Sequence, residues 1–174
     1  KANAEPGAIG LVLWMHTFSP AKMWIQGLKE LSKPFVHLHT QFNREIPWDS
    51  IDMNYMNLHQ SAHGDREFGF ICSRMRLERT VITGYWQEES VQKRLDVWAR
   101  AALAWADGQC GKVARFGDNM REVAVTEGDK VAAQETFGYA VHGYGIGDLA
   151  ECIDGVTSSD AKAVMDECLE KYEV

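Results

Sequence analysis

Six histidines are scattered through this 174-residue sequence, and four of them form pairs whose spacing suits a metal ion. His37 and His39 lie two apart in what reads as a strand, so both side chains face one side of a sheet. His59 and His63 lie four apart and share a helix face if the helix runs through both. Zinc or manganese accepts imidazoles so placed, with Asp52 or Glu67 as a carboxylate ligand. The plainer reading is four structural histidines, each with its own hydrogen-bond partner, and nothing in the sequence brings the two pairs together.

Other candidates are weaker or point elsewhere. Gly143-Tyr-Gly-Ile-Gly-Asp148 resembles a dinucleotide fingerprint, but its third glycine falls one position early. Asp148 also puts a carboxylate where a phosphate should approach the helix, which argues against a nicotinamide site. Cys72, Cys110, Cys152 and Cys168 form no C-x-x-C pair and have no neighbouring base in sequence. They read as reduced, packed thiols in a cytoplasmic protein. Four polar segments fit a different chemistry: His16 to Ser19, Thr40 to Asn43, Gly117 to Arg121 and Gly143 to Asp148. Rich in amides, imidazoles and aromatics, they suit a polyhydroxylated ligand held by hydrogen bonds and ring contacts. Ordinary polar loops are the competing account.

The elements that carry these segments alternate. Ala8 to Met15 is an apolar run, expected as a strand covered on both faces. Ser19-Pro20 starts a helix, which stops near Ser32 to Pro34, and Phe35 to His39 is the second strand. That is a βαβ unit, so the two strands should be parallel neighbours. A helical zone spans Ile51 to Leu77 with a break expected near Ala62 to Gly64, and Thr80 to Tyr85 is a third strand. From Glu88 to Asp107, Val91, Leu95, Trp98, Ala102 and Trp105 make one apolar helical stripe, with both tryptophans read as core. Asp107 to Gly111 ends it at a domain boundary, dividing the chain into 1–110 and 111–174. Beyond it come strands at Lys112 to Phe116 and Tyr139 to His142. Helices are expected after a capping box at Thr126 to Asp129 and after Thr157-Ser-Ser-Asp160. The fold class is α/β, a doubly wound parallel sheet of Rossmann-like type, followed by the start of a second α/β unit.

Composition sets the outer limits. Eighteen basic against 25 acidic residues give a net charge of −7, with no basic cluster to follow a nucleic-acid backbone. The longest apolar run is far short of the ~20 residues of a membrane span. An apolar content of 45% argues for a folded chain. The first strand follows Lys1 by only a handful of residues, which suggests a partial chain.

Longer blocks carry a resemblance. Trp14-Met-His-Thr-Phe-Ser-Pro-Ala-Lys-Met-Trp24, His39-Thr-Gln-Phe-Asn43, Pro47 to Met53, Asn57 to Phe70 and, most specifically, Ala114 to Val131 resemble bacterial L-arabinose isomerases. The resemblance covers nearly the whole chain. It implies the later part of the N-terminal α/β domain and the start of the central one. It also implies an aldose–ketose isomerase converting L-arabinose to L-ribulose through an ene-diol, with D-galactose to D-tagatose left open as a second conversion. Mn²⁺ is the implied cofactor, held by two glutamates and two histidines from a later part of such chains, none of which is present here. Phe18, Gln60 and His63 match positions that reach into a neighbouring subunit's active site, and Met120 matches one lining its own. A homo-oligomer of paired trimers follows from the same resemblance, with an aldopentose or aldohexose as the partner molecule. His16, Gln41 and Asn119 are adjacent, while Asn54, Tyr55 and His59 depart from the usual pattern. The alternative is a non-catalytic α/β module that binds sugars or associates with itself; a short form with its own catalytic arrangement would instead have His37, His39, His59 and His63 as the first metal ligands to test.

Overall fold

The computed structural model describes residues 1–18 and 20–173. It divides into two compact units, Lys1–Ala106 and Asp107–Val174.

The first unit is built on a parallel sheet of β1 (Leu11–Leu13), β2 (Phe35–His39) and β3 (Thr80–Thr83), in that order. Leu11 pairs with Phe35 and Val36 with Thr80, the parallel neighbours expected of the βαβ pattern. Side chains alternate along β2, and each face has its own helices. Phe35 packs with Leu28 of α1 (Ile25–Glu30) and with Phe68 and Cys72 of α3 (Ser61–Arg74). Val36 and Leu38 pack with Ile82 and with Val91, Leu95 and Trp98 of α4 (Glu89–Gly108). Helices on both faces make this a doubly wound α/β unit of Rossmann-like type.

Several expectations are corrected. β1 is three residues long, not eight, and Val12 is 53% exposed. It is an edge strand, and beyond Leu13 the chain leaves the sheet to meet α3. Ser19, the expected helix cap, lies outside the described residues. Pro20 stands just before the helical turn rather than within it, ahead of a 3₁₀ turn over Ala21–Trp24 that runs into α1. The helical zone breaks at His59 and Gln60, between α2 (Met53–Leu58) and α3, so Ala62 to Gly64 are helical. His59 takes a non-helical conformation (φ −124°, ψ 51°) and stacks its ring on Tyr55 at 4.1 Å. Trp105 is 47% exposed and belongs to no core. Only Cys72 is buried; Cys110, Cys152 and Cys168 are exposed free thiols.

The second unit repeats the pattern on a smaller scale. β4 (Lys112–Phe116) and β5 (Ala140–Tyr144) pair in parallel through α5 (Lys130–Phe137), followed by α6 (Ile146–Asp154) and α7 (Ser158–Lys171). Asp129, not Thr126, caps α5: its Oδ1 accepts the Val131 and Ala132 N–H groups. The Thr126 hydroxyl donates to Val123 O in a preceding 3₁₀ turn. Gly138 closes α5 with φ at 88°, a left-handed conformation that favours glycine. Thr157 caps α7 as the sequence predicts. No described residue of this unit is fully buried. Among the described residues, no helix is long and apolar enough to cross a membrane.

Candidate functional site

The chain leaving β1 is fastened at three points. Trp14 Nε1–H donates to Thr40 O at 3.2 Å, tying it to the chain leaving β2. Met15 N–H donates to Asp65 Oδ1 at 3.2 Å, tying it to α3. Two residues on, Thr17 O rests against Gly64, where a Cβ would overlap that oxygen outright and lie 3.3 Å from Met15 Cβ. Gly64 is therefore required for space, not for backbone freedom.

This arrangement sets Phe18 beside His63, with ring centroids 5.0 Å apart and planes 35° from parallel. Phe18 is 48% exposed and His63 is exposed too. Gln60 stands at the start of the same helix, where its carbonyl accepts the His63 and Gly64 N–H groups. Its side-chain amide donates to Asn57 Oδ1 at 3.4 Å. Three of the four expected site residues thus gather on one turn and the loop beside it. An apolar ring, an imidazole and an amide facing outward can hold a hydroxylated ligand by one hydrophobic face and two hydrogen-bonding edges.

Met120 belongs to the second unit. It is 67% exposed, on the loop that follows β4. Arg115 braces that loop by donating to Asp118 and Asn119, and Asn119 in turn donates to Glu127.

The four paired histidines do not converge. His37 is 2% exposed and its Nε2–H donates to Asp65 Oδ1 at 2.7 Å. His39, stacked 6.0 Å from His37, places Nε2 3.9 Å from Asp65 Oδ2. His59 donates through Nδ1 to Tyr55 O at 2.8 Å, and its Nε2 stands 3.3 Å from the Asn43 amide. His63 faces Phe18. The helix break removes the shared face that would have joined His59 to His63. Asp52 caps α2 by accepting the Tyr55 N–H, so it is no ligand partner either. Among the described residues, no three His, Cys, Asp or Glu side chains are grouped to hold a metal ion.

Two hollows flank the turn. One of about 480 Å³ opens at the carboxyl ends of β2 and β3 and is lined by His39, Gln41, Arg44, Ser61, Tyr85 and Glu88, with Arg44 and Glu88 3.6 Å apart. The other, about 280 Å³, is walled by Trp14, His16, Phe42, Leu58 and His59. Both lie where ligands enter parallel sheets. Asp65 belongs to no site motif in the sequence, and only tertiary contacts with Met15 and His37 bring it to this turn. Its signal in the sequence is a carboxylate on the inner stripe Ser61, Asp65, Phe68, Cys72, whose spacing otherwise marks a buried helix face.

Residues 1–110 match the family of L-arabinose isomerase N-terminal domains, and residues 112–174 match that of the central domains. An L-arabinose isomerase of Herpetosiphon aurantiacus is 63% identical over 100% of this chain and 35% of its own length. One from Shewanella sp. (strain MR-4) is 61% identical over 99% of this chain and 35% of its own. One from Geobacillus thermodenitrificans is 60% identical over 100% of this chain, again 35% of its own. The chain thus spans about a third of the length of the curated relatives it matches.

Proposed function

The chain belongs to the L-arabinose isomerase family, and from that premise we propose that it serves an aldose–ketose isomerase acting on L-arabinose, with D-galactose as the six-carbon counterpart. The observation that carries this reading is the exposed Phe18–His63 pair above Gln60, at the carboxyl end of a parallel strand. In this reading the chain supplies grip. Phe18 covers the carbon face of the sugar, while His63 and Gln60 meet its hydroxyls and fix which carbon is presented for reaction. Met120, by the family resemblance, is an apolar wall of its own subunit's site, separate from the neighbouring site that Phe18, Gln60 and His63 reach.

The isomerisation moves a proton between neighbouring carbons through an ene-diol, which needs a placed acid and base. The family resemblance implies Mn²⁺ as well. The described residues of this chain do not fit that ion, since the paired histidines occupy separate surroundings. The chain's own part is binding and orientation. Its substrate-facing turn is turned outward, which suits a homo-oligomer in which one subunit completes its neighbour's site. Three exposed, unpaired thiols suit the reducing cytoplasm.

The test compares His63→Ala with His59→Ala in the active enzyme that contains this chain. His63 faces outward beside Phe18, whereas His59 is engaged by Tyr55 and Asn43. Losing one hydrogen bond to a polar ligand group costs about 1–3 kcal/mol, so kcat/KM for L-arabinose should fall roughly ten- to hundred-fold in the first variant. The second should stay within a few-fold of wild type. Equal values for the two variants would remove the role given to His63.

A further inference from the structure

Asp65 is the most deeply buried acidic side chain of the first unit, at 1% exposure, and it touches no outward surface. Its Oδ1 nevertheless accepts from two other elements, from Met15 N–H at the exit of β1 and from His37 Nε2–H in the centre of β2. We propose that Asp65 is a positioning residue for the substrate-facing pair, acting through Phe18 and His63. The inference rests on the reading of those two residues given above.

The geometry runs in short steps. His63 precedes Asp65 by two positions on the same helical turn, so whatever holds Asp65 holds His63. Met15 precedes Phe18 by three positions, and Thr17 between them is seated on Gly64. Fixing Met15 at the carboxylate and Thr17 at the glycine leaves Phe18 little freedom. The rings themselves are exposed and tilted, too weakly engaged to hold each other in place. His37 anchors the carboxylate in turn. It is held in β2 with Phe68 edge-on at 5.1 Å, so the clamp refers the loop and the helix to the central strand of the sheet, paired on both sides. A carboxylate suits this place because one oxygen must accept from a backbone and an imidazole N–H together, and an ionised acceptor makes both bonds stronger. Asn keeps the shape and the acceptor but loses the charge; Ala loses both.

The first arm uses the 174-residue chain and the nuclear Overhauser contact between the Phe18 and His63 rings. With Asp65→Ala it should fall several-fold, while the Phe116–Tyr144 contact of the second unit persists as the control. Asp65→Asn should give an intermediate value. A ring contact of wild-type strength in folded Asp65→Ala overturns the proposal. If the alanine variant does not fold, Asp65→Asn decides, with a weakened contact supporting the proposal and an unchanged one overturning it. The second arm is a double-mutant cycle on kcat/KM in the active enzyme. With Phe18 and His63 treated as one unit of the cycle, a residue acting through both should add no further loss to the Phe18→Ala/His63→Ala enzyme, whereas multiplied losses, the mark of a general stabilising role, overturn the proposal. Wild-type turnover in His63→Ala alone refutes the functional reading instead, and the ring contact then judges Asp65 by itself.

Discussion

Gly64→Ala puts the central contact of the site under strain, and its effect can be worked out beforehand. Gly64 lies in α3 and is buried. A Cβ there would overlap Thr17 O and press on Met15 Cβ at 3.3 Å. The obstacle is a backbone carbonyl already tied down at Met15, not the end of a flexible side chain. Helix propensity alone favours the alanine by about 1 kcal/mol. Overpacking against fixed atoms costs about 1–3 kcal/mol, and the upper half of that range applies where nothing can yield. The net loss is therefore about 1–2 kcal/mol. For a unit of this size each kcal/mol moves the melting temperature by roughly 4–8 °C, so a fall of about 5–15 °C is expected. Gly27→Ala is the matched control: it sits in α1 with nothing within 4 Å of a new Cβ. There the same substitution should stabilise by about 0.5–1 kcal/mol. Tryptophan fluorescence is the assay of choice, because all six tryptophans lie between Trp14 and Trp105, inside the first unit. It reads that unit's unfolding without interference from the second. Should Gly64→Ala melt at or above the wild-type temperature, the seating of Thr17 on α3 would be wrong, and with it the account of how Phe18 reaches His63.

Burial pushes the Cys72 thiol up, with nearby Arg79 pulling it partly back. At neutral pH a disulfide reagent should therefore modify Cys110, Cys152 and Cys168 quickly and Cys72 only after denaturation; four equally fast thiols would contradict the packing. Because the folded thiol ionises above its unfolded counterpart, Cys72's contribution to stability is complete below the unfolded pKa. It is lost as pH rises from there through the folded one, and Cys72→Ala should flatten alkaline urea titrations. The Thr157 hydroxyl and then its backbone N–H hold the Asp160 carboxyl below the usual carboxylate range. The stabilisation from this pair is present above the unfolded pKa and fades as pH falls through the lowered folded value. Thr157→Ala should return Asp160 toward an ordinary carboxylate titration by carbon-detected NMR, with fraying of the first turn of α7.

What the sequence determines here is whatever local chemistry can settle. β2 and β4 have their predicted bounds because their runs are apolar or β-prone and are bracketed by Pro34 and glycines. Thr157 opens α7 because a cap and its partner lie three residues apart. Long matching blocks name the family, and the roles proposed for Phe18, Gln60, His63 and Met120 are drawn from that resemblance. Tertiary structure decides what depends on docking. Asp65 meets His37 across 28 positions and Met15 across 50, distances no local pattern spans. The break at His59 is fixed by its stack on Tyr55 and its bond to that residue's carbonyl, so two histidines four apart lose the face a continuous helix would give them. The full length of Ala8 to Met15 is apolar enough for a strand. Only Leu11–Leu13 become one, and past Leu13 a buried carboxylate and a bare glycine on α3 draw the chain away from the sheet.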